Sequence, residues 1–197
     1  MDMKNLTTTW KGVRRENLFQ RCMLAVFAVA FLLLAIQSFS RSAVVALVPP
    51  TLKHKAWVSA DGASQDYKTS WGLYLAQLLG NVTPGNVRFI KEAIGPLLDP
   101  AVYDQTIAAI TKQAEEIRQD GISLRFQPRS VKYETETDKV FVEGYSFVTG
   151  VGGEEERKTR TYESKIKIND YAPLVTGLDT YQGRARTQKV LSKQSGR

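Results

Sequence analysis

Two residue types that carry much of protein chemistry are almost missing from the 197-residue sequence, which has one cysteine, Cys22, and one histidine, His54. One cysteine cannot form an intrachain disulfide, and the pair cannot supply the four ligands of a structural zinc site. His54 lies between Lys53 and Lys55 with no carboxylate beside it, so we interpret it as a solvated loop residue. We therefore expect no catalytic residues, no bound metal and no cofactor.

Two patterns look like chemical motifs but have structural explanations. The glycine-rich run from Gly150 to Gly153 joins two predicted strands and lacks the Lys-Ser/Thr pair and the helix start of a phosphate-binding loop. Glu115 and Glu116 are adjacent, so they do not share a helix face as paired catalytic acids would. We interpret the first as a hairpin loop and the second as a solvated helix surface.

Charge is absent between Arg21 and Arg41, and the residues from Cys22 to Ile36 are all apolar. The uncharged window Cys22–Ser40 is about long enough to cross a bilayer as a helix, so we predict a transmembrane helix. Cations outnumber acids before it: Lys4, Lys11, Arg14, Arg15 and Arg21 against Asp2 and Glu16. The positive-inside rule then keeps the N-terminus in the cytoplasm. The alternative is a cleaved signal peptide, which the missing small-x-small cleavage site disfavours.

This window divides the chain into five predicted parts: a cytoplasmic leader (1–21), the transmembrane helix (22–40), a linker (41–63), an α+β domain (64–183) and a C-terminal tail (184–197). The linker contains a short apolar patch that ends at Pro49-Pro50. The tail has five cations and no acid, and the whole chain has a net charge of +7. We expect the tail to be flexible and dispensable for folding.

Three segments of the domain repeat apolar residues with a helical period. The first lies between Ser64 and Gly80 and carries the stripe Tyr67, Trp71, Tyr74, Leu75, Leu78 and Leu79. The second begins at a Thr83-Pro84 cap and is distorted or ended by Gly95-Pro96. The third begins at an Asp99-Pro100 cap and ends at Gly121.

After Gly121 the apolar period changes to two, which predicts strands. The first strand runs from Ile122 to Glu136 and is bulged near Pro128; the others are 139–149, 159–168 and about 174–181. Helices followed by an antiparallel meander predict an α+β fold in which three helices pack on one face of a curved four-stranded sheet.

The second strand has apolar residues on both faces, with Phe141, Tyr145 and Phe147 beside Glu143 on one of them. The neighbouring strands each have one charged face: Lys132, Glu134 and Glu136 on one, Glu163, Lys165 and Lys167 on the other. If these faces align, the three aromatic residues form a solvated ridge, which we predict to be a partner interface. The alternative is that the helices or the last strand cover it.

Four motifs occur in a fixed order: the helix pattern from Tyr67 and Trp71 to Leu79, the junction Asn81-Val82-Thr83-Pro84, the helix end from Ala114 to Asp120, and Gly177-Leu178-Asp179-Thr180-Tyr181. In this order and spacing they resemble the TraE family of conjugative type IV secretion. The resemblance covers about Arg14 to Gly183, while the Gly/Glu loop and the basic tail depart from it.

The resemblance implies a relative of the eighth VirB component, with a cystatin-like fold that is shared with nuclear transport factor two. It implies a non-enzymatic scaffold of the bacterial inner membrane with a periplasmic domain, which self-associates, contacts other channel subunits, and supports channel and pilus biogenesis and plasmid transfer. We expect no small-molecule substrate and no direct contact with DNA. The alternative is a membrane-anchored domain that binds a small ligand or acts as an isomerase, because the same architecture can form a conical pocket. It would need an acid or base among the inward-facing strand residues.

Overall fold

A long apolar helix forms the N-terminal part of the protein. The computed structural model describes residues 3–39, 49–51 and 56–195, and its first helix, α1, spans Met3–Phe39. Within α1, the stretch Asn17–Ala35 has a mean hydropathy of 2.2 and is long and apolar enough to cross a membrane. The predicted apolar helix is therefore confirmed. His54 and most of the predicted linker lie outside the described residues.

The chain divides into two units, 1–44 and 45–197, and the second contains the remaining elements. Its helices are α2 (Gln65–Leu79), α3 (Val87–Ile94), α4 (Pro100–Asp120) and α5 (Gln188–Ser195). The Asp99 cap of α4 is the one that the sequence predicts, and α2 begins directly after Ser64, where the predicted helical period begins. The side chains of Ser64 and Asp99 accept backbone N–H groups of α2 and α4, and α4 ends at Gly121 with a φ of 63°.

The start of α3 differs from the prediction, because Thr83 does not cap it. Thr83 and Asn86 bind each other's backbone instead: the Thr83 N–H donates to Asn86 Oδ1 (2.7 Å) and the Asn86 N–H donates to Thr83 Oγ1 (3.2 Å). The two side chains close a turn, so the helix begins only at Val87. A 3₁₀ turn, Gly95–Leu97, follows α3 where the sequence predicts a distortion.

The sheet is the predicted antiparallel meander, with strands in the order β1-β2-β3-β4. The strands are β1 (Ser123–Glu134), β2 (Lys139–Thr149), β3 (Glu155–Asn169) and β4 (Ala172–Gln182). The β1–β2 register shifts between Pro128 and Ser130, so the predicted bulge is confirmed. β3 begins four residues earlier than the predicted strand, at Glu155 instead of Thr159.

The hydrophobic core lies between the helices and one face of the sheet. Buried residues of the helices include Trp71, Leu75, Ile90, Ile94 and Ile110, and those of the sheet include Phe126, Val140, Val142, Ile166 and Val175. At Gly72 α2 lies so close to the sheet that an added Cβ would be 2.4 Å from Val140 Cγ1. The predicted α+β fold, with three helices packed on one face of a four-stranded antiparallel sheet, is confirmed. The opposite face is the outer face of the sheet.

Candidate functional site

The strand register decides which side chains share the outer face. Lys132 of β1 and Glu163 of β3 both lie opposite Phe141 of β2. The charged faces of the neighbouring strands therefore align with the aromatic set, as predicted. Val140 and Val142, which alternate with Phe141, point into the helix-side core.

Phe141 is nevertheless not solvent exposed. Its exposed fraction is 1%, so the prediction that all three aromatic residues lie on a solvated ridge is wrong for this residue. The three predicted helices pack on the opposite face, and β3 separates β4 from β2, so neither provides the predicted cover. We infer that the cover is the C-terminal segment, Gly183–Ser192, because its backbone binds Glu143 and Glu134 on this face and Ala185 is itself only 3% exposed.

The C-terminal segment is held on the outer face by main-chain hydrogen bonds to two carboxylates. The Ala185 N–H donates to Glu143 Oε1 (2.9 Å), and the Gln188 N–H donates to Glu134 Oε1 (2.8 Å). Phe141 lies on the sheet between these two attachment points. The expectation of a flexible tail is thus wrong for the described part. The tail has few apolar side chains, but these contacts are made by backbone N–H groups and do not need them.

Further contacts fix the start of the C-terminal segment. The Gly183 carbonyl accepts the Thr161 hydroxyl at 2.7 Å. The Arg186 N–H donates to the Tyr181 hydroxyl at 3.0 Å, and the Arg186 guanidinium lies 4.3 Å from the centroid of the Tyr181 ring. Each contact joins the segment to β3 or β4, so the last strand continues directly into the cover of the sheet.

Glu143 lies at the centre of the outer face, with a side chain that is 16% exposed. Burial alone would raise the pKa of this carboxyl, but the Ala185 N–H and the Lys132 ammonium (3.0 Å) outweigh it and hold the pKa below its usual value. The carboxylate therefore stays charged at neutral pH and remains an acceptor for the C-terminal segment.

Beyond this segment, the outer face carries aromatic rings together with arginines. The rings of Tyr145 and Phe147 are half-buried and meet edge to face, with centroids 6.4 Å apart. Arg125 lies 4.1 Å from the Phe147 centroid, and Arg157 and Arg129 lie 4.7 and 5.4 Å from the Tyr145 centroid. We call these five residues the arginine–aromatic surface.

Sequence reasoning missed the three arginines. Alternation within β1 and β3 could have placed Arg125 and Arg157 on the outer face, but only the register puts both of them opposite Phe147. Arg129 lies at the bulge, where alternation is interrupted and gives no prediction.

The other motifs behave as structural elements. The residues from Gly150 to Gly153 form the exposed turn between β2 and β3, with Gly153 at a φ of 80°. Glu115 pairs with Arg118 at 2.6 Å on the solvated surface of α4, and hydrogen bonds from Arg118 and Gln119 lower its pKa. Within the described residues no group of three or more His, Cys, Asp or Glu side chains is placed so that it could hold a metal ion.

A groove of about 200 Å³ lies between α4 and β4. Its lining includes Leu79, Thr106, Ile110, Tyr162, Leu178 and Asp179. Asp179 is the only carboxylate in this lining, and it accepts the Thr180 N–H at 2.7 Å. Burial raises the pKa of Tyr162, so this phenol stays protonated at neutral pH.

The family model described as TraE protein matches residues 1–180. The chain belongs to the TraE family. TraE proteins are structural components of type IV secretion systems that are associated with conjugation, and the family is not known for an enzymatic activity. The C-terminal segment lies beyond the matched residues. No curated protein sequence matches the chain.

Two solved structures show the same fold at low sequence identity. The VirB8 protein of Agrobacterium tumefaciens is 11% identical, with a TM-score of 0.50, over 62% of this chain and 95% of that chain. The periplasmic domain of DotI is also 11% identical, with a TM-score of 0.51, over 62% of this chain and 96% of that chain. The TraE domain thus has the VirB8-like fold, which resembles nuclear transport factor two.

Proposed function

We propose that the protein is a non-enzymatic inner-membrane scaffold of a conjugative type IV secretion system, which supports assembly of the channel and pilus and so plasmid transfer. The observation that carries the proposal is the span of the family match, since residues 1–180 include the apolar helix, α2 to α4 and nearly all of the sheet. A chain with one anchor and one folded domain can hold neighbouring subunits at a membrane without a reaction of its own.

The proposal includes a topology with the N-terminus in the cytoplasm and the α+β domain in the periplasm. The cations that precede the apolar stretch support this orientation. A periplasm-dependent phosphatase fused after Gly183 should be active, and the same enzyme fused within residues 1–21 should be inactive. The reverse pattern, or release of a cleaved soluble form, would contradict the topology.

The exposed part of the predicted ridge is the proposed site of self-association and of contacts with other subunits. Tyr145 and Phe147 remain candidates because a partner can reach them, whereas Phe141 is covered within the chain. Tyrosine and arginine are the residue types that most often dominate binding at interfaces, and here they lie together.

The test is complementation of a deletion strain in a mating assay. We expect Tyr145→Ala to reduce the transfer frequency by about tenfold or more, as loss of an interface anchor does. The control is Phe89→Ala on α3, which removes an exposed aromatic side chain from another surface. Both variants must accumulate to the wild-type level. Wild-type transfer by Tyr145→Ala would show that the contact surface lies elsewhere.

A second candidate function is small-ligand binding in the groove between α4 and β4. The groove is smaller than the roughly 300–1,000 Å³ of typical ligand sites, which favours the scaffold. Ala109 lines the groove and is exposed, so Ala109→Trp should fill it without disturbing the core. Normal transfer by this variant is expected; loss of transfer with an intact fold would favour ligand binding instead.

A further inference from the structure

The guanidinium groups of the arginine–aromatic surface are held in place by the two aromatic rings. Arg129 and Arg157 both lie over the Tyr145 ring, and Arg125 lies over Phe147. Cation–π contacts of this kind restrict long side chains that would otherwise sample many rotamers. The guanidinium groups are thus arranged before a partner arrives, which lowers the entropy cost of binding.

Two of these charges are not neutralised. Arg125 pairs with Glu155 of β3 at 3.0 Å. Within the described part of the chain, neither Arg129 nor Arg157 has a carboxylate within 4.0 Å. Both are exposed, and their fork of N–H donors suits the two oxygens of a carboxylate. The surface therefore presents two positive charges over the ring of Tyr145.

We propose that this surface binds an acidic segment of a partner protein, whose carboxylates pair with Arg129 and Arg157 while its apolar groups contact Tyr145 and Phe147. The inference rests on the proposed scaffold function, for which it names the chemistry of the partner. Charge complementarity of this kind sets which partner is accepted and how fast it associates.

The charge distribution favours a protein segment over a nucleic acid. A phosphate backbone carries a charge at every nucleotide and binds grooves that are positive along their whole length. Here Glu155 lies on the same face as Arg157, and the run Glu154-Glu155-Glu156 borders the surface at the start of β3. A segment with a few carboxylates can match two cations and avoid these acids, whereas a polyanion cannot.

Binding to a defined probe tests the proposal. The full-length protein in detergent is titrated into a short fluorescein-labelled peptide that carries two glutamates among alanine and leucine residues, and fluorescence anisotropy reports the Kd. The double variant Arg129→Gln/Arg157→Gln should raise the Kd by about tenfold, as expected when two charge-assisted pairs are lost. The matched control, Arg88→Gln/Lys167→Gln, removes the same charge from exposed sites elsewhere and should change the Kd little.

A second variant tests the contribution of the Tyr145 ring. Tyr145→Leu keeps an apolar side chain but removes the ring over which both arginines lie, so it should also weaken peptide binding. Equal weakening by the two charge-matched double variants would show a net-charge effect and overturn the proposal. Tighter binding of an oligothymidylate that depends on the same arginines would overturn it in favour of a nucleic acid.

The mating assay separates this inference from the scaffold function. If Arg129→Gln/Arg157→Gln loses peptide binding but transfers normally, the surface binds acidic segments and its role in the proposed function is refuted. If the variant loses transfer while the wild-type protein does not bind the peptide, the scaffold function stands and the acidic partner is refuted.

Discussion

The burial of Phe141 under the C-terminal segment makes its energetic contribution depend on that segment. In the full chain the ring is 1% exposed, and cutting a buried phenylalanine to alanine costs about 3–5 kcal/mol of the free energy of unfolding. In a chain that ends at Gly183, the outer face is open to water. An exposed side chain can be replaced there at a cost of about 0.5 kcal/mol or less.

The expected magnitude follows from these two limits. Part of the Phe141 ring stays in contact with β1 and β3 after truncation, because Lys132 and Glu163 flank it. We therefore expect Phe141→Ala to cost about 3–4 kcal/mol in the full chain and about 1 kcal/mol in the truncated one, a coupling of about 2–3 kcal/mol.

The assay is a double-mutant cycle of Phe141→Ala with truncation after Gly183. Urea unfolding of the four proteins in the same detergent, followed by near-ultraviolet circular dichroism, gives the four free energies. The control cycle replaces Phe141→Ala with Tyr145→Ala, which lies beyond the C-terminal segment and should show almost no coupling. If Phe141→Ala costs the same in both chain lengths, the segment does not cover the ring and the reasoning fails.

Two more predictions concern other parts of the domain. Burial and, after it, the hydrogen bond to the Asp138 carboxylate (2.7 Å) raise the pKa of Tyr133 to about 12. The protonated phenol therefore contributes to stability fully below pH 10.0, and this contribution is lost as the pH rises to about 12. A phenolate absorbance titration should show several late-ionising tyrosines, because the pKa of Tyr162 is also raised, and Tyr133→Phe should remove one of them. An unchanged number of late-ionising tyrosines in Tyr133→Phe would contradict this. Gly72→Ala should destabilise the domain by about 1–3 kcal/mol in thermal melts because its Cβ would meet Val140. Gly85→Ala should be nearly neutral, because its Cβ would make only an ordinary contact, 3.9 Å from Thr83 Oγ1. Equal melting temperatures for these two variants would show that α2 does not pack so closely.

Local chemistry made the elements predictable from the sequence. A cap such as Ser64 or Asp99 binds backbone groups within three residues, and Gly121 ends α4 through its own φ. Thr83 shows where such reasoning stops. Its side chain could cap a helix or close a turn with Asn86, and the geometry of the whole junction selected the turn.

The sequence by itself determined which residues of a regular strand share a face, because side chains alternate along such a strand whatever surrounds it. It did not determine what covers that face. The C-terminal segment is bound mainly through its backbone N–H groups, which are the same in every residue but proline, so its composition carries no sign of docking to Glu143 and Glu134. Likewise, Arg125 and Arg157 meet Phe147 and Tyr145 only through the register of three strands. Tertiary structure alone therefore decided that Phe141 is buried and that arginines surround Tyr145.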